Sequence, residues 1–350
     1  MMLMNRFLLF FALLILAACQ PKTTPALPAP QGRSLAQPLQ TIAFGSCNRQ
    51  DLPQEVWQDV LNTQPKLWIW LGDNIYGDTE DMNAMLSKYN LQKSNELYQK
   101  LRATTPIIGI WDDHDYGVND GDKNYPKKAE SKVLMLDFLD VPADAPVRAR
   151  EGAYQSYTFG PAEQQVKVIL LDARYFRDAL QKGEGDQSRR YLPNLDGDML
   201  GEAQWQWLEA ELTNSPAQIH LIGSGVQIIP EEHPYEKWAN FPTARQRLFD
   251  LLVKTKPAGT ILLSGDRHIA EISKLEVPGL PYPLYDITSS GMTHAYTGAT
   301  GEANRHRIGN LVNDKNFGVL HIDWSTPAPT VSVTIRGWND RVFITQDIIK

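Results

Sequence analysis

The sequence predicts an α/β fold in which two packed sheets are covered by helices, and three observations lead there. Short apolar runs bounded by Gly or Asp recur along the chain, and such runs read as strands buried on both faces of a sheet. Amphipathic helical stretches alternate with these runs. From Leu284 onward the segments become short and β-rich, so strand-rich segments flank the helices in both halves.

The elements follow in order. Residues Pro21 to Gln40, rich in Pro, Ala, Gln and Thr, read as a flexible tether, and folding begins near Thr41. A strand over Thr41 to Gly45, a helix around Glu55 to Asn62 and a strand over Leu67 to Leu71 precede helical stretches that run through Leu101. The strand Ile107 to Trp111 leads into a polar loop and a helix around Ser131 to Leu139, closed by Val141-Pro142 because Pro cannot continue a helix. Strands at Ala153 to Phe159 and Val166 to Leu171 come before the helix Gly201 to Thr213, where Trp205, Leu208 and Leu212 recur at helical spacing. A strand at Ile219 to Ile222, a helix at Thr243 to Thr255 and a strand at Gly259 to Leu263 complete the core pattern. The tail adds strands at Leu284 to Thr288, Phe317 to Trp324, Thr330 to Ile335 and Val342 to Asp347. The last two are joined by a hairpin turn at Gly337-Trp338-Asn339-Asp340.

A chain of 350 residues with 42% hydrophobic content can bury the core of one large domain. Its net charge of −7, with no long Lys/Arg stretch, argues against a nucleic-acid groove, which needs a basic footprint. At the N-terminus, Arg6 precedes an apolar stretch that ends in small residues, the layout of a signal peptide. The stretch is shorter than the roughly 20 residues of a membrane span. Leu16-Ala17-Ala18-Cys19 resembles the bacterial lipoprotein processing box, which implies lipidation of Cys19. Gln20, rather than Asp, implies sorting to the outer membrane; an ordinary cleaved signal or an uncleaved anchor is the alternative. The expected division is a signal peptide over 1–19, a tether over 20–40 and one domain over 41–350.

Four apolar runs end in residues able to hold metal: IAFGSC on Cys47, LWIWLGDNIYGD on Asp73, PIIGIWDDHD on Asp113 and His114, and TILLSGDRH on Asp266 and His268. Strand ends of open α/β sheets face the crevice where ligands bind, so these residues could converge on one catalytic metal centre. That points to a metal-dependent hydrolase. With Cys19 lipidated, Cys47 has no partner for a disulfide, although export favours disulfides. It is either an inert buried thiol or a thiolate held by metal, and its position just after a strand and a Gly favours the metal.

FGSC, GDNIYGD, WDDHDYG, LDARYFR and SGDRH, in this order from Phe44 to His268, resemble the alkaline phosphatase D (PhoD-like) branch of the calcineurin-like metallophosphoesterases. The resemblance implies a four-layer α/β/β/α sandwich, the metallo-dependent phosphatase fold, with several metals at the strand ends. It also implies that the extra β-domain of some members is missing here. Asp73 matches the carboxylate that bridges two ions, and Tyr76, three residues on, can turn back to the same ion. Thiolate and tyrosinate together imply Fe3+. Asp113 matches the ligand of a second ion, and His114 the His that acts on the leaving group. The Asp residues beside His114 favour its charged form. Asp112 and Asp115 are expected to orient its ring.

Asp266 stands where many relatives have the first His of Gly-His-x-His, which shifts preference toward Ca2+, while His268 keeps the second imidazole. Other divalent metals remain open. Arg174 is expected to clamp substrate phosphate, with a structural salt bridge as the alternative, which is favoured for Arg177. Gln227, His294 and Asn316 are left unassigned.

The resulting expectation is an exported lipoprotein, an alkaline phosphatase or phosphodiesterase, in which a metal-bound hydroxide attacks phosphorus in line and His114 protonates the leaving oxygen. A phospholipase-like phosphodiesterase acting on lipid headgroups is one alternative. A non-catalytic phosphate- or metal-binding surface lipoprotein is the other. Completeness of the ligand set favours an enzyme. The expected partners are a phosphate ester and, through the lipid anchor, a membrane on the periplasmic or surface side of the envelope, with the chain a monomer. The pocket walls are expected from the loop Asn119 to Lys128 and from the tail after Gly291.

Overall fold

In a computed structural model, which describes residues 37–185 and 191–350, the parallel strands β1 (Thr41–Gly45), β2 (Leu67–Leu71) and β3 (Ile107–Ile110) form half of one sheet. The signal segment, Cys19 and the tether as far as residue 36 lie outside the described residues. A second sheet contains β4 (Gln155–Phe159), β5 (Val166–Leu170), β8 (Ile219–Ser224), β9 (Thr260–Ser264), β10 (Ala270–Leu275), β11 (Leu284–Ser289) and β12 (Arg307–Val312). The two-residue strands β6 (Gln181–Lys182) and β7 (Tyr191–Leu192) pair separately. The tail strands β13 (Phe317–Asp323), β14 (Thr330–Arg336) and β15 (Val342–Ile349) return to the first sheet, whose order is β15-β14-β13-β1-β2-β3. The order in the second is β12-β10-β11-β9-β8-β5-β4.

Side-chain alternation along the strands shows how the layers stack. In the second sheet, Val168, Leu170, Leu221, Ile261 and Leu263 share a core with Ile42, Phe44 and Ile69 of the first. The intervening Ile169, Ile222 and Leu262 pack instead with Trp205, Leu208 and Leu212 of α3 (Gly201–Leu212) and Leu248 and Leu252 of α4 (Pro242–Thr255). On the far face of the first sheet, Trp68 and Trp70 meet Trp57 of α1 (Val56–Asn62) with ring centroids 4.9 and 5.3 Å apart. Trp70 Nε1 donates to the hydroxyl of Tyr98 in α2 (Glu96–Thr104) over 3.0 Å. Each such aromatic pair adds roughly 1 kcal/mol beyond burial. The result is the expected α/β sandwich of mixed parallel and antiparallel sheets between helices.

The expected hairpin turn joins β14 to β15: Asn339 and Asp340 both adopt left-handed backbone, at φ 58° and 56°. Asp59 of α1 accepts hydrogen bonds from both of their N–H groups, at 3.2 and 2.9 Å, and so pins the tail to the helix layer. Strands β10 and β12, like the two-residue β6 and β7, are absent from the sequence reading. β10, AEISKL, carries buried Glu271 and Ser273, and the Glu271 carboxylate is satisfied by Arg307 of β12 at 2.6 Å. A polar ladder buried between strands has no apolar periodicity to reveal it. Among the described residues, no helix is long and apolar enough to cross a membrane.

The C-terminal ends of β2, β3 and β8 close together around one residue. Gly72, at φ 94°, would place a Cβ 2.3 Å from Asp112 Cβ, and Gly225 one 2.3 Å from Asp112 Oδ1. We expect Gly72→Ala to destabilise the protein by about 1–3 kcal/mol through overpacking and a forbidden backbone conformation, read as a lower urea midpoint. An unchanged midpoint would mean that these strand ends can separate at no cost.

Candidate metal centre

Each parallel strand of the first sheet delivers a metal-capable side chain just past its last residue: Cys47 after β1, Asp73 after β2 and Asp113 after β3. From the second sheet, β9 delivers Asp266 and His268. Four of these five residues have left-handed backbone, with φ 59° at Cys47, 49° at Asp73, 69° at Asp266 and 54° at His268. A residue other than Gly held there costs roughly 1–2 kcal/mol. Such strain clusters at functional sites, where surrounding structure over-determines it.

The turns bring the expected residues together. The Cys47 thiol donates to Asp73 Oδ2 at 3.4 Å. The Tyr76 hydroxyl lies 3.3 Å from the same oxygen, 2.9 Å from His268 Nε2 and 3.0 Å from His294 Nε2. The His114 backbone N–H donates to Asp73 Oδ1 at 3.3 Å and to Asp113 Oδ1 at 2.9 Å. Donor atoms of Cys47, Asp73 and His268 all lie within 4.8 Å of one another. The same holds for Asp73, Asp113 and His114, for Asp112, Asp113 and Asp266, and for Asp113, Asp120 and Glu236.

The electrostatics show a cavity short of positive charge. Burial pushes the Asp73 carboxyl well above the usual range, reinforced by Asp113, Asp115 and Asp266. Burial, then Asp113, raises Asp266 to about 8, and burial raises Asp115 to about 7. Cys47 is raised by burial and by Asp73 and Asp266. Burial lowers His268 to about 3, helped by His294 and His114. Asp113 runs the other way: burial opposes its charge, but Arg174 and His114 bring it down to about 2. For His114, burial opposes protonation, yet the hydrogen bond to Asp78 and the charge of Asp113 raise it to about 9. Bound cations would supply the missing charge. A thiolate, phenolate and imidazole suit a transition ion, and the carboxylates suit a harder one, so these residues fit a di-metal site.

Other expected roles change. Arg174 is fully buried and does not face the cavity. Its Nε donates to Asp112 Oδ1 and its Nη1 to Glu236 Oε2, both at 2.6 Å, the internal ion pair that stood as the alternative to a phosphate clamp. Arg177 is likewise buried and binds the carbonyl oxygens of Asp120 and Gly121, at 2.6 and 2.7 Å, besides Glu236. Neither Asp112 nor Asp115 orients the His114 ring. Its Nδ1 bonds Asp78 Oδ1 at 2.7 Å, and Asp115 instead accepts from the backbone N–H groups of Asp73, Asn74 and Asp112. Gln227 bonds Glu271 and Thr288 inside the second sheet, and Asn316 bonds Ser289 and Asp314.

His294 stands beside the cluster, its ring 4.3 Å from that of His268, although it is in none of the four donor groups. A cavity of about 330 Å³ opens over the site. Asn119, Asp120 and Tyr296 line it, from the loop and tail that the sequence reading expected, but so do Lys182, Tyr191, Tyr235, Glu236 and Arg267. Asp78 was legible as the last residue of GDNIYGD. Glu236 lies in a loop with no periodicity or motif to mark it.

An acid whose pKa is higher folded than unfolded binds more protons in the folded state between the two values, so stability falls as pH rises through that window. For Asp266 the window runs from the unfolded value, about 4, to about 8. In the presence of chelator, the melting temperature should fall across this range, and added metal ions should flatten the decline. A chelated protein equally stable at both ends would contradict this charge balance.

The PhoD-like phosphatase family profile matches residues 42–303. The solved structure of PhoD superposes on 92% of this chain and 73% of its own, with a TM-score of 0.65 and 18% identity. The structure described as GAP50, the anchor in the inner membrane complex of Plasmodium, covers 90% of both chains at a TM-score of 0.55 and 13% identity. A dimetal phosphatase from Danio rerio is similar at 0.53 and 15%, over 89% of this chain and 99% of its own. At such identities the likeness is one of fold. A comparison with curated proteins finds no match. The family profile spans most of the domain and takes in each of the strand ends that build the cluster, so the chain belongs to the PhoD-like phosphatases.

Proposed function

We propose that the protein is a metal-dependent phosphoric ester hydrolase acting on phosphate monoesters or diesters. The observation that carries this reading is the convergence of Cys47, Asp73, Asp113, Asp266 and His268 from four strand ends beneath one open cavity. One ion, Fe3+, would be held by Cys47, Asp73, Tyr76 and His268, and a second, Ca2+, by Asp73, Asp113 and Asp266, with Asp73 shared. Bound there, the pair would supply a nucleophile from water at neutral pH and neutralise charge on the transferring phosphoryl group.

The chain's own part is positioning and proton transfer. His114 lines the cavity and stacks on Tyr76, with centroids 4.1 Å apart. Its Nδ1 is engaged by Asp78, so the transferable proton sits on Nε2, and a pKa of about 9 keeps that proton available at neutral pH. His114 therefore serves as the general acid toward the leaving oxygen. Membrane attachment through a lipidated Cys19, on the periplasmic or surface side of a bacterial envelope, belongs to this proposal and rests on the N-terminal sequence alone.

Asp73→Asn is expected to lower hydrolysis of an aryl phosphate at least about 100-fold and to lose bound metal, since the shared carboxylate would carry no charge. Rates together with elemental analysis check this, and full retention of both would remove Asp73 from the centre. His114→Ala should slow alkyl esters far more than activated aryl esters, because only poor leaving groups need protonation. Equal losses on the two classes would make His114 structural.

A further inference from the structure

The segment after β11 is stitched onto the loop that carries Cys47. Met292 N–H donates to Ser46 O at 3.3 Å, and Thr293 N–H to Cys47 O at 3.5 Å. The next residue, His294, is thereby brought into the crevice from a strand end that the ligand set above does not use. Its Nε2 lies 3.0 Å from the Tyr76 hydroxyl, on which His268 Nε2 also converges at 2.9 Å. The two imidazoles stand edge to face, and the hydroxyl that both Nε2 atoms approach lies 3.3 Å from Asp73 Oδ2.

What sets His294 apart from a packing residue is the far side of its ring. Thr293 is buried, and its hydroxyl has three neighbours: Arg49 N–H at 2.8 Å, Cys47 O at 3.3 Å and His294 Nδ1 at 3.1 Å. One hydroxyl has one proton and two lone pairs. The arrangement that satisfies all three contacts has Thr293 accepting from Arg49, donating to Cys47 and accepting from Nδ1–H of His294. That tautomer leaves the Nε2 lone pair directed at the Tyr76 corner. An imidazole whose second nitrogen donates to a fixed oxygen is how proteins orient a metal-binding histidine.

We propose that His294 is a further ligand of the transition ion, donating through Nε2, and that Thr293 is the positioning residue that fixes its tautomer. The inference rests on the metal-centre reading above and adds a second imidazole to the donor set. It also gives the Cys47 loop a structural reason to be joined to the β11 end, since one hydroxyl ties the thiol-bearing backbone to the added ligand.

The test uses the full chain, with ferric iron as the probe. In protein labelled with 15N-histidine, pulsed electron paramagnetic resonance should detect two imidazole nitrogens coupled to iron, and only one in His294→Ala. The same variant should hold iron about 100-fold more weakly against a chelator, and Thr293→Val about 10-fold more weakly with both couplings kept. Thr293→Ser, which retains the hydroxyl, should match the parent, and this comparison stands if His294→Ala does not fold. Parent-like couplings and affinity in His294→Ala, or equal affinities for Thr293→Val and Thr293→Ser, would overturn the inference while leaving the metal centre intact. A parent that takes up no iron would overturn both.

Discussion

Several carboxylates buried within reach of one another, with too few cations to answer them, form the constraint on which the rest of this structure depends. Asp73, Asp112, Asp113, Asp115 and Glu236 are each no more than 2% exposed. An isolated buried charge is expensive unless it is paired or hydrogen-bonded. Part of the set is answered within the protein: Arg174 takes Asp112 and Glu236, and backbone N–H groups take Asp115. Arg174 and His114 also favour the charge on Asp113, while Asp73 and Asp266 remain facing it, together with a thiol and a phenol. What they lack is positive charge at the centre of the crevice.

The scaffold accepts further cost to keep them there. Cys47, Asp73, Asp266 and His268 sit in left-handed backbone, and Gly72 and Gly225 close on Asp112 with no room for a side chain. Two sheets sharing one apolar core hold these strand ends at fixed separation, since a close-packed interior does not yield to small displacements. Burial of the aromatic layer around Trp57, Trp68 and Trp70 thus links helix packing to the geometry of the site.

Much of this was legible in the sequence because the strands that matter are apolar runs ending in chemically distinctive residues. β1 and β2 match the sequence reading at both ends, and the two αL residues of the tail hairpin fall inside the expected turn. Arg174 kept two readings because an arginine after a buried strand suits a phosphate clamp and an internal ion pair equally, and only depth separates them. Asp78 was inside a quoted motif, but its pairing with His114 depends on how the turn folds back. Glu236 and His294 come from loops whose positions are set by long-range packing, and β10 hides its strand character in a buried polar ladder.

Family membership, fold and the clustered donors carry the reading as far as a metal-dependent hydrolase with a di-metal site, and iron and calcium belong to the proposal. The most direct test is elemental analysis of the full-chain protein after exposure to both ions and removal of excess. The account predicts at least two tightly held ions per chain, one of them a transition metal. A folded protein that retains no ion under these conditions would contradict it, because the buried carboxylates would then be stable by some other means.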